Sequence, residues 1–354
     1  MAAWAAPGGA ARFEANVPLL CNARRARALG FAAEVDLVFL EGLDSLEASY
    51  VSRLREAGYA VRDAGASFRR HAARHLALGR FGRFERNCFL RWLVLADLYA
   101  GQPLLHLDGD VVFNESPAEL ARLCAGRTLV LQGCPAFVAL ADGTWLARYA
   151  GELGRLAADI EGYSAAAWAE RPGWEESARL RWAGSRDRRV IASDQDLISH
   201  LLHTRRLPQA DPAEFVAAAP RHVFFENPLL IGQLVPERPL DYRRSDGIDT
   251  LGGRRVAFWH MQTDWCRYLA KHLLRERLGG LAGSGRVTFG RWDRETLLHA
   301  ALRKLGGGRW WDRATICRRF FEEGNFAAVF CDAGWWEETV FPASGCARTS
   351  VNPD

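Results

Sequence analysis

The stretch Leu104–Phe113, LLHLDGDVVF, constrains this chain more than any other. Leu104, Leu105 and Leu107 run into Asp108-Gly109-Asp110, and Val111, Val112 and Phe113 follow at once. A short apolar run of this kind predicts a buried strand. Two carboxylates at its end are costly inside a core unless a cation is shared between them. Hard divalent cations take oxygen ligands and accept one or two carboxylates together with substrate phosphates. The run therefore predicts a strand that presents a metal–diphosphate site, with a solvated turn at a strand end as the plain alternative.

A chain of 354 residues with 49% hydrophobic content is long enough for one large or two smaller globular domains. The formal charge of +4 is too small to indicate a nucleic-acid partner. Eight arginines fall between Arg62 and Arg91 against only Asp63 and Glu85, a local excess that reads as a solvated helix face or as a surface for phosphates. Eight scattered cysteines without a C-x-x-C spacing argue against a zinc site and against a disulfide scaffold, and they fit a reducing compartment. No apolar run reaches the ~18–20 residues of a membrane span. The expectation is a cytoplasmic protein without a transmembrane segment, the alternative being the lumenal catalytic fragment of an anchored secretory-pathway enzyme.

Taken in order, Val17–Cys21 reads as a first strand, with a helix starting at Asn22. Val35–Leu40 reads as a second strand, Ser45–Ala57 as a helix closed by Gly58, and Tyr59–Val61 as a third strand. This β-α-β order predicts a parallel sheet with crossover helices. Arg80–Ala100 has apolar residues at helical spacing and stops at Gly101-Gln102-Pro103, so a helix feeds the central strand. Asp108 and Asp110 are thereby delivered to a carboxyl edge, where open α/β sheets bind ligands. A helix over Asn114–Ala125, a strand over Thr128–Gln132 and helical structure over Trp145–Trp168 follow. Glu170–Arg189 reads as loops or a flap, and Ser193 or Asp194 caps the next helix. Pro208–Pro220 reads as a connector, Pro236–Asp249 as polar turns, Arg255–Trp259 as a strand and Trp265–Leu278 as a helix. Gly279–Gly285 is the best linker, with helices over Arg294–Leu305 and Trp311–Phe321 and an aromatic tail beyond.

Three groups then fall at ends of these elements: Asp108 with Asp110, Asp194 with Asp196, and His260. Two carboxylates and an imidazole suit Mn²⁺ or Mg²⁺, Mn²⁺ accepting nitrogen more readily. Each member also has a plain role, since Asp194 can serve as an N-cap and His260 as a packed histidine. His71 and His75 lack the neighbouring glutamate of a zinc protease, and no Gly-Lys-Ser/Thr loop marks a P-loop nucleotidase.

With these positions assembled, the chain resembles a GT-A-fold, metal-dependent glycosyltransferase, and is most similar to family 8 and related nucleotide-diphospho-sugar transferases. The resemblance is carried by CFLRWLVLADLYAGQPLLHLDGDVVF, a helix with an internal arginine before a strand ending in D-x-D, and by SDQDLI and FWHMQ in the same order. It implies that Asp108, Asp110 and His260 hold the metal and that Arg91 and Asp108 face the donor. Asp194, Gln195 and Asp196 would lie beneath the anomeric carbon or at the acceptor. The family's Asp-rich nucleotide loop is replaced here by Cys21-Asn22-Ala23-Arg24, which leaves Asn22 and Arg24 as the donor contacts. Arg267 or Lys271 would supply the phosphate contact after the histidine.

The expected architecture is α/β: a GT-A-like mixed, mostly parallel sheet flanked by helices over residues 1–278, with a helical C-terminal extension over 279–354. The expected function is Mn²⁺- or Mg²⁺-dependent, retaining transfer of a hexose from a nucleoside-diphosphate sugar to a glycan, protein or small-molecule hydroxyl. The rival readings are a non-catalytic nucleotide-sugar-binding module, a glycoside hydrolase with paired carboxylates and a nucleotidyltransferase.

Overall fold

The computed structural model describes residues 1–31, 35–170, 191–224, 241–278, 301 and 312–330. It is a mixed α/β structure. Strands β1 (Ala2–Trp4), β2 (Val35–Glu41) and β3 (Tyr59–Asp63) form a parallel sheet in that order. β2 shows why the sheet lies inside. Its Leu37 and Phe39 pack into one hydrophobic cluster while Val38 and Leu40 pack into another, so alternation along one strand feeds two cores. Between β2 and β3 the helix Ala48–Glu56 buries Tyr50, Val51 and Leu54. Gly58, at φ 99°, ends it with the backbone turn that a side chain would strain.

The first strand is not where the sequence predicts it. Val17–Cys21 runs into the helix Leu19–Ala28, which opens at Pro18. Proline has no N–H to lose at a helix start, and its fixed φ suits that position. The Ala-rich N-terminus forms β1 instead, because it finds a partner edge on β2, with Ala2 opposite Val38.

The helix Arg83–Leu98 leads to the central run, and every side chain from Asn87 to Leu95 is buried. A helix enclosed on all sides must satisfy its polar residues internally, and Arg91 is one of them. The run Leu104–Phe113 is two strands rather than one. β4 (Leu104–Leu107) pairs antiparallel with β7 (Phe137–Leu140), which also pairs antiparallel with β6 (Leu129–Val130). β5 (Val111–Phe113) pairs antiparallel with β12 (Phe258–His260), Val111 opposite His260. The Asp-Gly-Asp turn changes partners between them.

β8 (His222–Val223), β9 (Tyr242–Ser245), β10 (Ile248–Leu251) and β11 (Arg254–Val256) form a fourth sheet. Five of the eight strand pairings among the described residues are antiparallel, so the expected mostly parallel sheet is not found. The predicted strand Arg255–Trp259 is divided at Ala257, whose carbonyl accepts the N–H groups of Asn114 and Glu115. Where polar turns were expected, β9 and β10 form a hairpin closed by Asp246-Gly247, at φ 50° and 78°. The expected connector Pro208–Pro220 contains the helix Pro212–Ala218, capped by Asp211.

The helices Thr144–Ala158 and Ile160–Glu170 match the helical reading of that region. The predicted flap, the linker Gly279–Gly285 and nearly all of the helix Arg294–Leu305 lie outside the described residues. Near the C-terminus, the helix Arg313–Cys317, the π-helical turn Arg318–Glu322 and the helix Ala327–Phe330 bury Ile316, Phe320, Phe326 and Phe330 against Trp259 and Trp265. The described aromatic residues of the tail are thus a packed cap. No helix among the described residues is long and apolar enough to cross a membrane.

Candidate metal centre

The centre is built at the turn between β4 and β5. Asp108 donates its N–H to Ala136 O at 3.0 Å, and Val111 N–H closes the turn on Asp108 O at 3.1 Å. Gly109 is required by contact rather than by φ: a Cβ there would lie 2.6 Å from Val17 Cγ1. Met261 N–H donates to Asp110 O at 2.9 Å, which fixes the turn to the end of β12. On the other edge of β5, Asn22 behaves as a piece of strand. Its amide donates to Val111 O at 2.7 Å and accepts from Phe113 N at 2.9 Å.

This scaffold brings Asp108, Asp110 and His260 together, with one ligand atom of each within 4.8 Å of the others. His260 arrives because β12 pairs with β5 in a register that sets it opposite Val111, next to Asp110. Its Nε2 lies 3.4 Å from Asp110 Oδ1, and Arg313 Nη2 lies 3.3 Å from Asp110 Oδ2. Asp108 Oδ1 accepts from Arg91 Nη1 at 2.5 Å and lies 3.2 Å from His106 Nε2. Arg91 is held from behind by Asp194, whose Oδ2 also accepts from Trp92 Nε1 at 2.9 Å.

Burial pushes the Asp108 carboxyl up, but Arg91, His106 and His260 more than offset this and hold it well below the usual carboxylate range. Burial also raises Asp110, and His260 with Arg313 bring it below its ordinary value. Burial pushes the His106 imidazole down to about 4, against the pull of Asp108. The three carboxylates of Asp108, Asp110 and Asp194 outnumber by one the two guanidiniums paired with them, Arg91 and Arg313, before any charge on His260 is counted. Two ionised carboxylates, a ring nitrogen and that surplus fit a divalent ion such as Mn²⁺ or Mg²⁺.

No protein-family model, curated protein or solved structure matches the chain.

The other residues singled out from the sequence take varied positions. Asp196 closes a capping box: its Oδ2 accepts from Ala192 N and Ser193 N, and Ser193 caps the helix Asp194–His203. Gln195, between these two aspartates, is exposed. Arg24 is exposed and paired with Glu322 at 2.8 Å. On the helix Thr263–Leu278, Arg267 is exposed and Lys271 is buried. A cavity of about 450 Å³ is lined by Ala26, Arg27, Phe31, Tyr59 and Phe113 among others, and by none of the three metal-ligand candidates. The donor chemistry, not the cavity, therefore locates the centre.

Three contributors escape the sequence reading. His106 precedes Asp108 by two residues, the strand repeat that sets two side chains on one face, so its position was legible. Trp92 adjoins Arg91 and is legible only once Asp194 is known to be near. Arg313 carries no local signal at all.

Proposed function

We propose that this chain transfers a hexose from a nucleoside-diphosphate sugar to an acceptor hydroxyl on a glycan, protein or small molecule, on a GT-A-like fold. Mn²⁺ or Mg²⁺ would be held by Asp108, Asp110 and His260. The observation that carries the reading is the meeting of a D-x-D turn with a histidine from a distant strand, the order in which the motifs stand in the sequence. When bound, the ion supplies Lewis-acid charge neutralisation to the departing diphosphate. The chain's own residues prepare for it. Arg91, fixed by Asp194, keeps Asp108 ionised and oriented, and the hydrogen bond from Met261 holds Asp110 in place. Gln195 is the exposed member of the Asp194-Gln195-Asp196 turn and the one open to a sugar or acceptor.

A glycoside hydrolase is disfavoured by the charge state of the pair. It needs one carboxyl held protonated as the general acid, and both Asp108 and Asp110 are held below their ordinary values.

The test is a thermal-shift screen of nucleoside diphosphates and their sugars, with and without Mn²⁺, followed by turnover of the donor that binds. Stabilisation that needs both partners, turnover abolished by chelator and loss of both in Asp110→Asn are expected. Chelator-insensitive cleavage of a simple glycoside would replace this reading with a hydrolase. Metal-dependent binding without turnover on any acceptor would replace it with a binding module.

A further inference from the structure

Resting on that reading, we propose that Arg313 supplies the cation that faces the donor's diphosphate, delivered to the acidic turn by the C-terminal segment 312–322. The residues after His260 that the sequence offers for this role are Arg267, which is exposed, and Lys271, which is buried. Among the described residues after His260, the guanidinium set against a metal-ligand candidate is that of Arg313, at Asp110; Arg91, earlier in the chain, is already committed to Asp108 and Asp194.

Its seating is asymmetric. Nη1 donates to Asn16 O at 2.9 Å, a firm anchor on the main chain. Nη2 makes long contacts, 3.3 Å to Thr263 Oγ1 and 3.3 Å to Asp110 Oδ2, and the Cys266 thiol also faces the guanidinium. The side chain is 25% exposed, so it is held in place without being enclosed. Asp110 meanwhile offers its other oxygen to His260. A guanidinium has five N–H donors in a fixed plane and suits phosphate oxygens, especially where its direction is set in advance.

The support behind Arg313 is local and specific. Asp312 caps its helix by accepting from Thr315 N at 2.7 Å, and Ile316 and Cys317 of the same helix are buried. Further along, Glu322 pairs with Arg24, and Arg244 donates to Phe320 O at 2.7 Å. The segment is thus tied to the helix Leu19–Ala28 and to β9, and its first helical residue is the one that reaches Asp110.

The proposal separates diphosphate binding from metal binding. Calorimetry would titrate Mn²⁺ alone, then UDP, GDP, ADP and CDP into Mn²⁺-saturated protein, for the parent, Arg313→Gln and Arg313→Lys. Near-UV circular dichroism, sensitive to the packing of the phenylalanine cap on Trp259 and Trp265, would check that the segment stays seated. The expected result is that Arg313→Gln weakens the tightest nucleoside diphosphate about tenfold or more, a typical effect for a lost charge-assisted contact. Mn²⁺ alone should bind as tightly as to the parent, or more tightly, because a competing cation has left Asp110. Arg313→Lys should recover most of the loss. A nucleoside-diphosphate affinity within about twofold of the parent in Arg313→Gln overturns the assignment and leaves the proposed function standing. Equal weakening of Mn²⁺ and nucleoside diphosphate also overturns it, because that marks a lost seat rather than a lost contact. A parent that binds Mn²⁺ and no nucleoside diphosphate removes the donor reading itself, and this assignment with it.

Discussion

Arg91 and Asp194 are joined by two hydrogen bonds to a single oxygen, from Nε at 3.0 Å and from Nη2 at 2.7 Å, with side chains only 4% and 3% exposed. Nη1 of the same guanidinium reaches Asp108 at 2.5 Å, so one buried arginine couples the helix Asp194–His203 to the candidate metal centre. Removing one partner of such a pair leaves an uncompensated charge in the interior, at a cost of about 3–5 kcal/mol. Asp194→Ala should therefore lose stability on that scale in urea denaturation, and Mn²⁺ affinity should fall as Arg91 turns wholly to Asp108. A loss below about 1 kcal/mol would show that Asp194 is not the anchor of Arg91.

Gly109 and Val17 make a second, mutually compensating pair. A Cβ on residue 109 would stand 2.6 Å from Val17 Cγ1, closer than carbon atoms approach. Gly109→Ala should thus displace the turn, costing about 1–3 kcal/mol and weakening Mn²⁺ binding. In Gly109→Ala/Val17→Ala the clash is absent, so the double variant should bind Mn²⁺ better than Gly109→Ala alone. Independent, additive effects in the double-mutant cycle would mean that the glycine serves some other need.

Where local chemistry decided the structure, the sequence was readable. The stops at Gly58 and Gly101, the Ser193 cap, the buried helix before the D-x-D run and the Asp108, Asp110 and His260 set all follow from residues close at hand or from ordered motifs. Tertiary pairing decided the rest. Nothing within Ala2–Trp4 marks a strand until the open edge of β2 is present, and nothing within Val111–Phe113 says that its partner is Phe258–His260 rather than a parallel neighbour. The Asp246-Gly247 hairpin was legible in principle, since that dipeptide favours the turn that joins two strands, but its polar flanks concealed the alternation. Arg313 lay beyond reach because only the packing of Phe320 and Phe326 on Trp259 brings it to Asp110.

The capping box at Ser193 separates two roles for Asp196. Its carboxylate accepts from the N–H groups of Ala192 and Ser193, as a helix start requires. Ser193→Ala should cost about 1 kcal/mol and leave Mn²⁺ affinity unchanged. Asp196→Ala should cost at least as much, since two backbone donors lose their acceptor. Loss of donor turnover in Asp196→Ala beyond that expected from the fall in folded protein would instead make Asp196 part of the reacting site.

Glu14 gives a test by pH away from the metal centre. Burial raises its carboxyl above the ordinary value of 4.5, against the hydrogen bonds from Tyr50 and from the Leu20 and Cys21 backbone. The folded state therefore keeps a proton that the unfolded chain has already released between 4.5 and the raised value. More protons bound in the folded state means that stability falls as pH rises across that interval. The favourable contribution is complete below 4.5 and is lost as pH passes the folded value. Glu14→Gln removes the titration while keeping the size of the side chain and an oxygen acceptor for Leu20 N, now accepted at 2.9 Å. The variant should gain on the parent as pH rises above 4.5 through the raised folded-state value in urea denaturation, with all other carboxylates shared by the two proteins. A stability difference that stays flat or shrinks over that range would mean that the Tyr50 and backbone hydrogen bonds outweigh burial at Glu14.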